Sequence, residues 1–266
     1  MMNSLSVIKI GGNVVDSPAL LAQFCADFTA LAGPKVLVHG GGVKAGAIQR
    51  ALGQEPVRIE GRRVTDAATL EVVVMAYAGW CNKDIVARLQ ACGCNALGLA
   101  GCDGGVITAP KRPPKTLSDG VTQVDFGFVG DVTPASVDAE FLRQLLDAGL
   151  VPGLCAINHD GHGQLLNTNA DTVASCVAAA LGAELIYCFE KAGVLRDAAD
   201  EGSVIPRISA ADFARLRADG TVSDGMLPKL ETAFRALEDG APRVVVCHAA
   251  NLLNPTCGTV LTLNGE

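Results

Sequence analysis

The sequence is short of aromatic residues, of positive charge, of paired cysteines and of long apolar runs. Aromatics make up 4% of its 266 residues while hydrophobic residues reach 49% and glycines number 30. A core built from Ala, Val, Leu and Gly is usual for parallel sheets covered by helices. Lys and Arg total 21 against 28 Asp and Glu, a formal charge of −7. That balance excludes a broad nucleic-acid or anionic-membrane surface but leaves room for a local cationic pocket. No apolar run approaches the roughly 20 residues of a membrane span. Nor does a leader-like segment precede the first apolar strand, so the expected location is cytoplasmic. The ten cysteines include no C-x-x-C pair; Cys92 and Cys94 form only C-x-C, and His39 completes no zinc pattern. They lie mostly in apolar periodic segments and read as small buried hydrophobes of a reduced protein. His159 and His162, in NHDGHG, have no framing carboxylate helix, so no metal site is expected there.

Several reaction signatures are missing as well. The chain lacks the Walker pattern and the protein-kinase motif set. No Ser or Cys sits on a recognisable nucleophile elbow. Gly40, Gly42 and Gly46 give G-x-G-x-x-x-G, one residue too long for a dinucleotide fingerprint.

What the chain does have is a repeated turn. In VIKIGGN (residues 7–13) an apolar run carries Lys9 and ends in Gly11-Gly12; in VLVHGGGVKAG (residues 36–46) a second run ends in Gly40-Gly41-Gly42. Each reads as a buried strand, a turn without side chains, and a helix start. Such a turn lets backbone N–H groups approach an anion, which the helix N-terminus also favours. Either glycine pair alone could be a tight turn and nothing more; two in succession beside a lysine point to an anion site.

The alternation continues as β-α-β-α along the chain. Strands are expected over residues 5–10, 36–39, 96–99, 150–157, 184–189, 243–247 and 259–263. Ser17-Pro18 starts a helix that Gly33-Pro34 ends, and residues 43–52 form the next. Residues 57–64 form a hairpin around Gly61 and Arg62-Arg63. Thr65 is then expected to cap a long helix over residues 66–91, whose wide apolar surface fits either deep burial or a second subunit. Residues 101–131 read as an irregular stretch containing a hairpin with a basic tip, KRPPK. Thr133-Pro134 starts a helix closed by Gly149. Asn167, Asn169 and Asp171 precede or open a helix to Gly182; capping explains one asparagine, not all three polar residues. Ser209 with Asp212 opens another helix, and Pro228 places Lys229 near the start of the last one. A soft boundary near Gly182 divides the chain into lobes 1–182 and 183–266 that share a sheet or pack closely. Lysines and backbone amides without a nucleophile suit phosphoryl transfer, which needs positioning and charge neutralisation more than covalent chemistry.

IKIGGN (residues 8–13), HGGG (39–42), GRRVTD (61–66), LLNTNAD (165–171) and SDGMLPKL (223–230) occur together, in order. In this set the chain resembles the acetylglutamate kinases of the amino acid kinase family, over essentially its whole length. The resemblance implies a three-layer α/β/α sandwich on a mostly parallel sheet. It implies an acyl-glutamate in the N-terminal lobe, MgATP in the C-terminal lobe, and γ-carboxylate attack on the γ-phosphorus. By this resemblance Lys9, Lys229 and Asp171 are catalytic. Gly41, Gly42, Arg63, Asn167 and Asn169 bind the amino acid. Gly11, Gly12, Glu190, Lys191, Gly193, Ser223 and Asp224 serve phosphate and nucleotide. No protein metal site is implied, Mg²⁺ being held by ATP and water. Expected partners are these small molecules and a second copy joined through helix 66–91. The N-terminal helical extension of arginine-inhibited relatives is missing, so arginine feedback is not expected. The turn Glu190-Lys191-Ala192-Gly193 departs from the acid-Val-Ser-Gly turn frequent among relatives. Acetyl is the default acyl group; succinyl would need only a changed pocket, using Arg62, Lys111 or Arg112. The rivals are a different amino acid kinase, a nicotinamide-dependent oxidoreductase using the Gly40–Gly46 turn, and a nucleotide-binding sensor or storage protein of the same fold.

Overall fold

The computed structural model describes residues 5–197, 199–222 and 225–264. The amino-terminal half alternates strand and helix. β1 (Ser6–Ile10) leads through α1 (Gly12–Val15) and α2 (Pro18–Ala30) to β2 (Lys35–His39) and α3 (Gly42–Ala51). A small hairpin of β3 (Arg58–Ile59) and β4 (Arg62–Arg63) precedes α4 (Ala67–Val74), a π-helical segment (Met75–Cys81) and α5 (Asn82–Ala91). β5 (Ala96–Leu99) is followed by a second hairpin, β6 (Lys115–Thr116) and β7 (Gln123–Val124), then α6 (Ala139–Asp147) and β8 (Val151–Cys155). A third hairpin, β9 (Ile157–His159) and β10 (Leu165–Asn167), opens into α7 (Ala170–Leu181). The remainder is β11 (Glu184–Phe189), β12 (Arg207–Ser209), α8 (Ala210–Ala218), α9 (Leu227–Glu238), β13 (Val244–His248) and β14 (Thr259–Thr262).

Eight strands form one sheet in the order β12-β14-β13-β11-β1-β2-β8-β5, parallel except for the β13–β14 pair. β1 pairs with β2 on one side and β11 on the other. Residue 182 therefore falls between halves that share a single sheet. Side chains alternate across it. Val7, Val36, Val38, Leu185 and Tyr187 face a core completed by α4, α6, α7 and α9. Ile8, Ile10, Leu37, Ile186 and Cys188 face the opposite core, completed by α2 and α5. This is the three-layer α/β/α sandwich.

The local departures from expectation have identifiable causes. Thr65 is not the cap of the long helix: the Asp66 carboxylate accepts the Thr69 N–H at 2.8 Å, while Thr65 is buried. That hydrogen bond lowers the Asp66 pKa. The helix itself changes pitch at Met75 and returns to α geometry at Asn82. Thr133-Pro134 opens only a single 3₁₀ turn, because Asp138 caps a separate helix through the Phe141 N–H. Residues 150–157 divide at Ala156, where the chain leaves the main sheet for β9. β12 was not expected at all. KRPPK is an arm rather than a tip: Lys115 starts β6, and the turn lies beyond Thr116. Helix boundaries marked by Pro18, Asn169, Ser209 with Asp212, Pro228 and the glycines 149 and 182 agree with the sequence reading.

Candidate active site

Parallel strands present their carboxyl ends along one edge, and ligands of open α/β sheets lie there. A cleft of about 300 Å³ occupies that edge and is lined by the turns after β1, β2, β8 and β11. Its charged lining is Lys9, Arg58, Arg62, Arg63, Arg112 and Lys229 against Asp171 and Glu190. A chain of net charge −7 thus concentrates positive charge at one place. Such a concave cationic wall attracts and retains anions.

Lys9 is the fourth residue of β1 and shares its face with Val7, so it projects toward α7. Its ammonium lies 2.5 Å from an Asp171 carboxylate oxygen, and the side chain is nearly buried. Asp171 reaches it because Asn169 performs the capping: the Asn169 side chain accepts the Asp171 and Thr172 N–H groups at 2.7 and 3.3 Å. The Tyr187 hydroxyl donates to the Asp171 carbonyl at 3.0 Å and holds the first turn against β11. The three polar residues of NTNAD therefore have three tasks, since Asn167 enters the cleft from β10 instead.

Lys229, in the first turn of α9, lies 4.0 Å from the centroid of the Phe189 ring, and Lys9 lies 4.9 Å from it. Burial is the main influence on Lys229 and lowers its pKa; Asp171 opposes that shift and Lys9 adds to it. Among the described residues Lys229 has no direct ion pair, so one carboxylate serves two ammonium groups. The cleft lining sets six cationic side chains against two carboxylates, and an anionic ligand would offset that excess. Phe189 places one ring beside both cations. Sequence reasoning missed it, because the end of an apolar strand reads as core.

Arg63 is buried and doubly held: it donates through Nη1 to the Gln49 side chain and through Nη2 to the Gly42 carbonyl at 2.9 Å. Its Nε–H has no protein acceptor among the described residues. Asn167 donates to the Thr65 hydroxyl at 3.1 Å, and its buried carbonyl oxygen lacks a donor. A segment of the long 101–131 stretch holds both neighbours. Phe128 N–H donates to Thr65 O at 2.7 Å, and Asn167 N–H donates to Phe128 O at 2.9 Å. Gly127 permits this closeness: its φ is +77°, and a Cβ there would lie 2.2 Å from the Thr65 carbonyl oxygen.

The glycine turns differ in use. Gly12 and Gly42 are the first residues of α1 and α3, whose leading N–H groups take no intrahelical partner. Gly11 N–H is already taken up by the Cys188 carbonyl at 3.3 Å. Gly41 lies against Tyr77, where a Cβ would meet the ring at 2.7 Å. Glu190 lines the cleft and accepts from Asn13 at 2.9 Å, linking the two loops. Lys191 and Gly193 stand away from it. Lys191 pairs with Glu201, and Gly193 packs on Thr259. Ser223 and Asp224 lie outside the described residues. Arg58, Tyr77 and Asn13 complete the lining without having been singled out in the sequence; the cross-strand register of Arg58 with Arg63 is the signal that was available for the first. Among the described residues no three His, Cys, Asp or Glu side chains gather as metal ligands. Among the described residues no helix is long and apolar enough to cross a membrane.

Comparison with known proteins gives the family. Residues 4–248 match the sequence profile of the amino acid kinase family. The acetylglutamate kinase of Bacteroides thetaiotaomicron is 51% identical over 254 residues, covering 94% of this chain and 95% of that one. The acetylglutamate kinase of Cytophaga hutchinsonii is 45% identical over 272 residues, covering 99% and 100%. Among solved structures, N-acetylglutamate synthase from Neisseria gonorrhoeae, complexed with coenzyme A and N-acetyl-glutamate, superposes with a TM-score of 0.81 at 24% identity. It covers 99% of this chain and 60% of that one. Carbamate kinase from Giardia lamblia bound to AMP-PNP gives 0.68 at 15% identity, covering 98% and 99%. These two likenesses concern the fold. The family profile and the sequence relatives establish that the chain belongs to the amino acid kinase family, alongside its acetylglutamate kinases, and is a phosphotransferase with a carboxyl group as acceptor.

Proposed function

We propose that the cleft transfers the γ-phosphoryl group of ATP to the γ-carboxylate of N-acetyl-L-glutamate, giving ADP and the acyl phosphate, as a step of arginine biosynthesis in the cytoplasm. The observation that carries this reading is the pair Lys9 and Lys229 beside one ring, Phe189, with the Asp171 carboxylate acting on both. A glutamate carboxyl has a pKa of about 4.3 and is already ionised at neutral pH, so no general base is required. The obstacle is repulsion between that carboxylate and the triphosphate. Lys9 faces the group in flight, and Lys229 faces the leaving side. Asp171 holds Lys9 in place and keeps Lys229 charged against the cost of burial.

The N–H groups at the starts of α1 and α3 then meet the phosphoryl oxygens and the attacking carboxylate. Gly11 contributes through its lack of a side chain, its own N–H being occupied. The buried Asn167 carbonyl oxygen matches the N–H of an acylamino group, which no carboxylate could satisfy. Arg63 offers its remaining donors to the α-carboxylate, with Arg58 at the mouth. Asn169 acts from behind by setting the first turn of α7. The nucleotide lies toward the carboxyl-terminal half, past Glu190. There a second hollow of about 400 Å³ is lined by Arg196, Arg207 and Thr221, among others. Magnesium, when bound, neutralises phosphate charge; among the described residues Asp171 and Glu190 are the carboxylates lining the cleft, so ATP and water hold most of its coordination.

The same reading includes a homodimer. Val43, Leu52, Val57, Met75 and Trp80 are exposed on α3, the first hairpin's approach and the π segment. These are apolar side chains of the kind that subunit contact covers.

The test is ATP-dependent hydroxamate formation from N-acetylglutamate and hydroxylamine, run beside N-succinylglutamate and free glutamate. The expected kcat/KM is highest for the acetyl compound. No hydroxamate from any of the three, with ADP-analogue binding retained, would replace the enzyme by a nucleotide-binding protein.

A further inference from the structure

The HGGG turn contains one side chain, and it does not enter the cleft. His39 ends β2 and is fully buried. Its Nδ1 lies 2.8 Å from the carbonyl oxygen of Gly40, the next residue. Its Nε2 lies 3.0 Å from Asn82 Nδ2, which also donates to the Gly153 carbonyl at 2.8 Å. The Asn82 side-chain oxygen in turn accepts from Lys83 at 3.1 Å. Only one proton arrangement satisfies all these contacts. The Gly40 oxygen can only accept, so Nδ1 carries the proton. The Asn82 amide nitrogen can only donate, so Nε2 is bare. The ring is neutral, in keeping with burial, which lowers its pKa to about 4.

The consequence lies one bond away. In a trans peptide the C=O and the following N–H point in opposite directions. A hydrogen bond that draws the Gly40 oxygen toward the buried histidine turns the Gly41 N–H the other way, toward the cleft that Gly41 lines. Glycines leave such a peptide free to rotate, so something must hold it. The helix at residues 67–91 touches this turn at two places. Tyr77, inside the π segment, backs Gly41, and Asn82, the first residue after that segment, holds His39. π segments within α-helices often mark such functional contacts.

We propose that His39, held in its Nδ1–H tautomer by Asn82, is a positioning residue that fixes the Gly40–Gly41 peptide and aims the Gly41 N–H at the reacting anions. This rests on the reading that backbone N–H groups of the cleft meet those anions. A histidine that only filled the core would matter through its volume. A positioning histidine matters through one donor at the δ position.

Two substitutions in the full chain separate these roles. His39→Phe keeps a ring and removes the donor. His39→Asn loses ring volume but places an N–H donor where Nδ1 stood. The expected result is a kcat about 10²-fold lower for His39→Phe, the scale of one misaimed transition-state donor. Both KM values stay within about threefold. His39→Asn recovers about tenfold or more of that loss while being no more stable than His39→Phe. Equal kcat in the two variants, or wild-type kcat in folded His39→Phe, would overturn the proposal. Should His39→Phe fail to fold, ¹⁵N-histidine NMR of the unaltered protein decides: a protonated Nε2 with bare Nδ1 refutes the arrangement. Lys9→Ala in the same assay isolates the underlying reading. If it retains kcat, the site itself is misassigned; if it loses kcat while His39→Phe does not, only the role of His39 fails.

Discussion

The two glycine turns are nearly the same in sequence and are built differently. The turn after β1 is closed by the sheet: the neighbouring strand takes the Gly11 N–H, and α1 lasts a single turn. What it delivers is a side chain, Lys9, pinned between Asp171 and Phe189. The turn after β2 is closed by a helix that arrives from more than 30 residues later. Tyr77 stands behind Gly41, and Asn82 orders His39. What it delivers is backbone, at the head of a ten-residue helix. One turn presents a charge and the other presents dipoles. A carboxylate approaching a triphosphate needs both, because mobile charge alone leaves the reacting oxygens unoriented.

Lys9→Ala is the sharpest test of this contrast. It removes the charge of the first turn and is expected to lower kcat about 10²–10³-fold with smaller changes in KM; steady-state kinetics with both substrates measures it, and an unchanged kcat would remove the division of labour. Gly41→Ala probes the second turn. A Cβ at 2.7 Å from the Tyr77 ring must push the loop or the ring, whereas at Gly11 the nearest contact is an ordinary 3.5 Å to Phe189. The expected loss at Gly41 is about 10²-fold in kcat, and at Gly11 less than about tenfold. Equal losses would mean the two turns are equivalent after all.

Arg63→Ala should act on the amino-acid side alone, raising the KM for N-acetylglutamate about tenfold or more with the KM for ATP little changed. An effect confined to ATP would move Arg63 to the other substrate.

A separate effect concerns stability rather than turnover. His39 has its pKa lowered by burial from 6.5 to about 4. The unfolded chain therefore binds the proton more readily, so the stabilisation from a neutral His39 is complete above pH 6.5 and is lost as pH falls toward 4. The amount is roughly 3 kcal/mol at the acid end. Unfolding curves between pH 6.5 and 4 should flatten in His39→Asn relative to the unaltered chain; parallel curves would show that His39 does not titrate there.

Much of the fold was legible because its signals are local. Apolar runs at β1, β2, β11 and β13, with Pro18, Asn169, Ser209 and the glycine stops, mark element ends wherever a backbone group needs a partner. The errors arose where two local signals competed. Thr133-Pro134 offered one helix start and Asp138 another, and the carboxylate accepted from the longer helix. Thr65 and Asp66 stood in the same relation. Lys9, Asp171 and Lys229 could be named from charge and position, but Phe189 and Tyr187 could not. Their spacing of two along β11 is that of any core strand, and only the neighbours they receive make them a platform. Glu190, Lys191 and Gly193 form one sequence turn, yet only Glu190 lines the cleft, since Lys191 turns out to its own partner, Glu201.

By itself the sequence determined the alternation of strand and helix, the two glycine turns and the residue types able to steady anions, because each follows from near-neighbour sterics and hydrogen bonding. The tertiary structure alone decided which glycine N–H is occupied, which carboxylate serves both lysines, and which way the Gly40–Gly41 peptide faces. Those outcomes depend on contacts between residues that are distant along the chain: Gly11 with Cys188, Lys9 with Asp171, and His39 with Asn82.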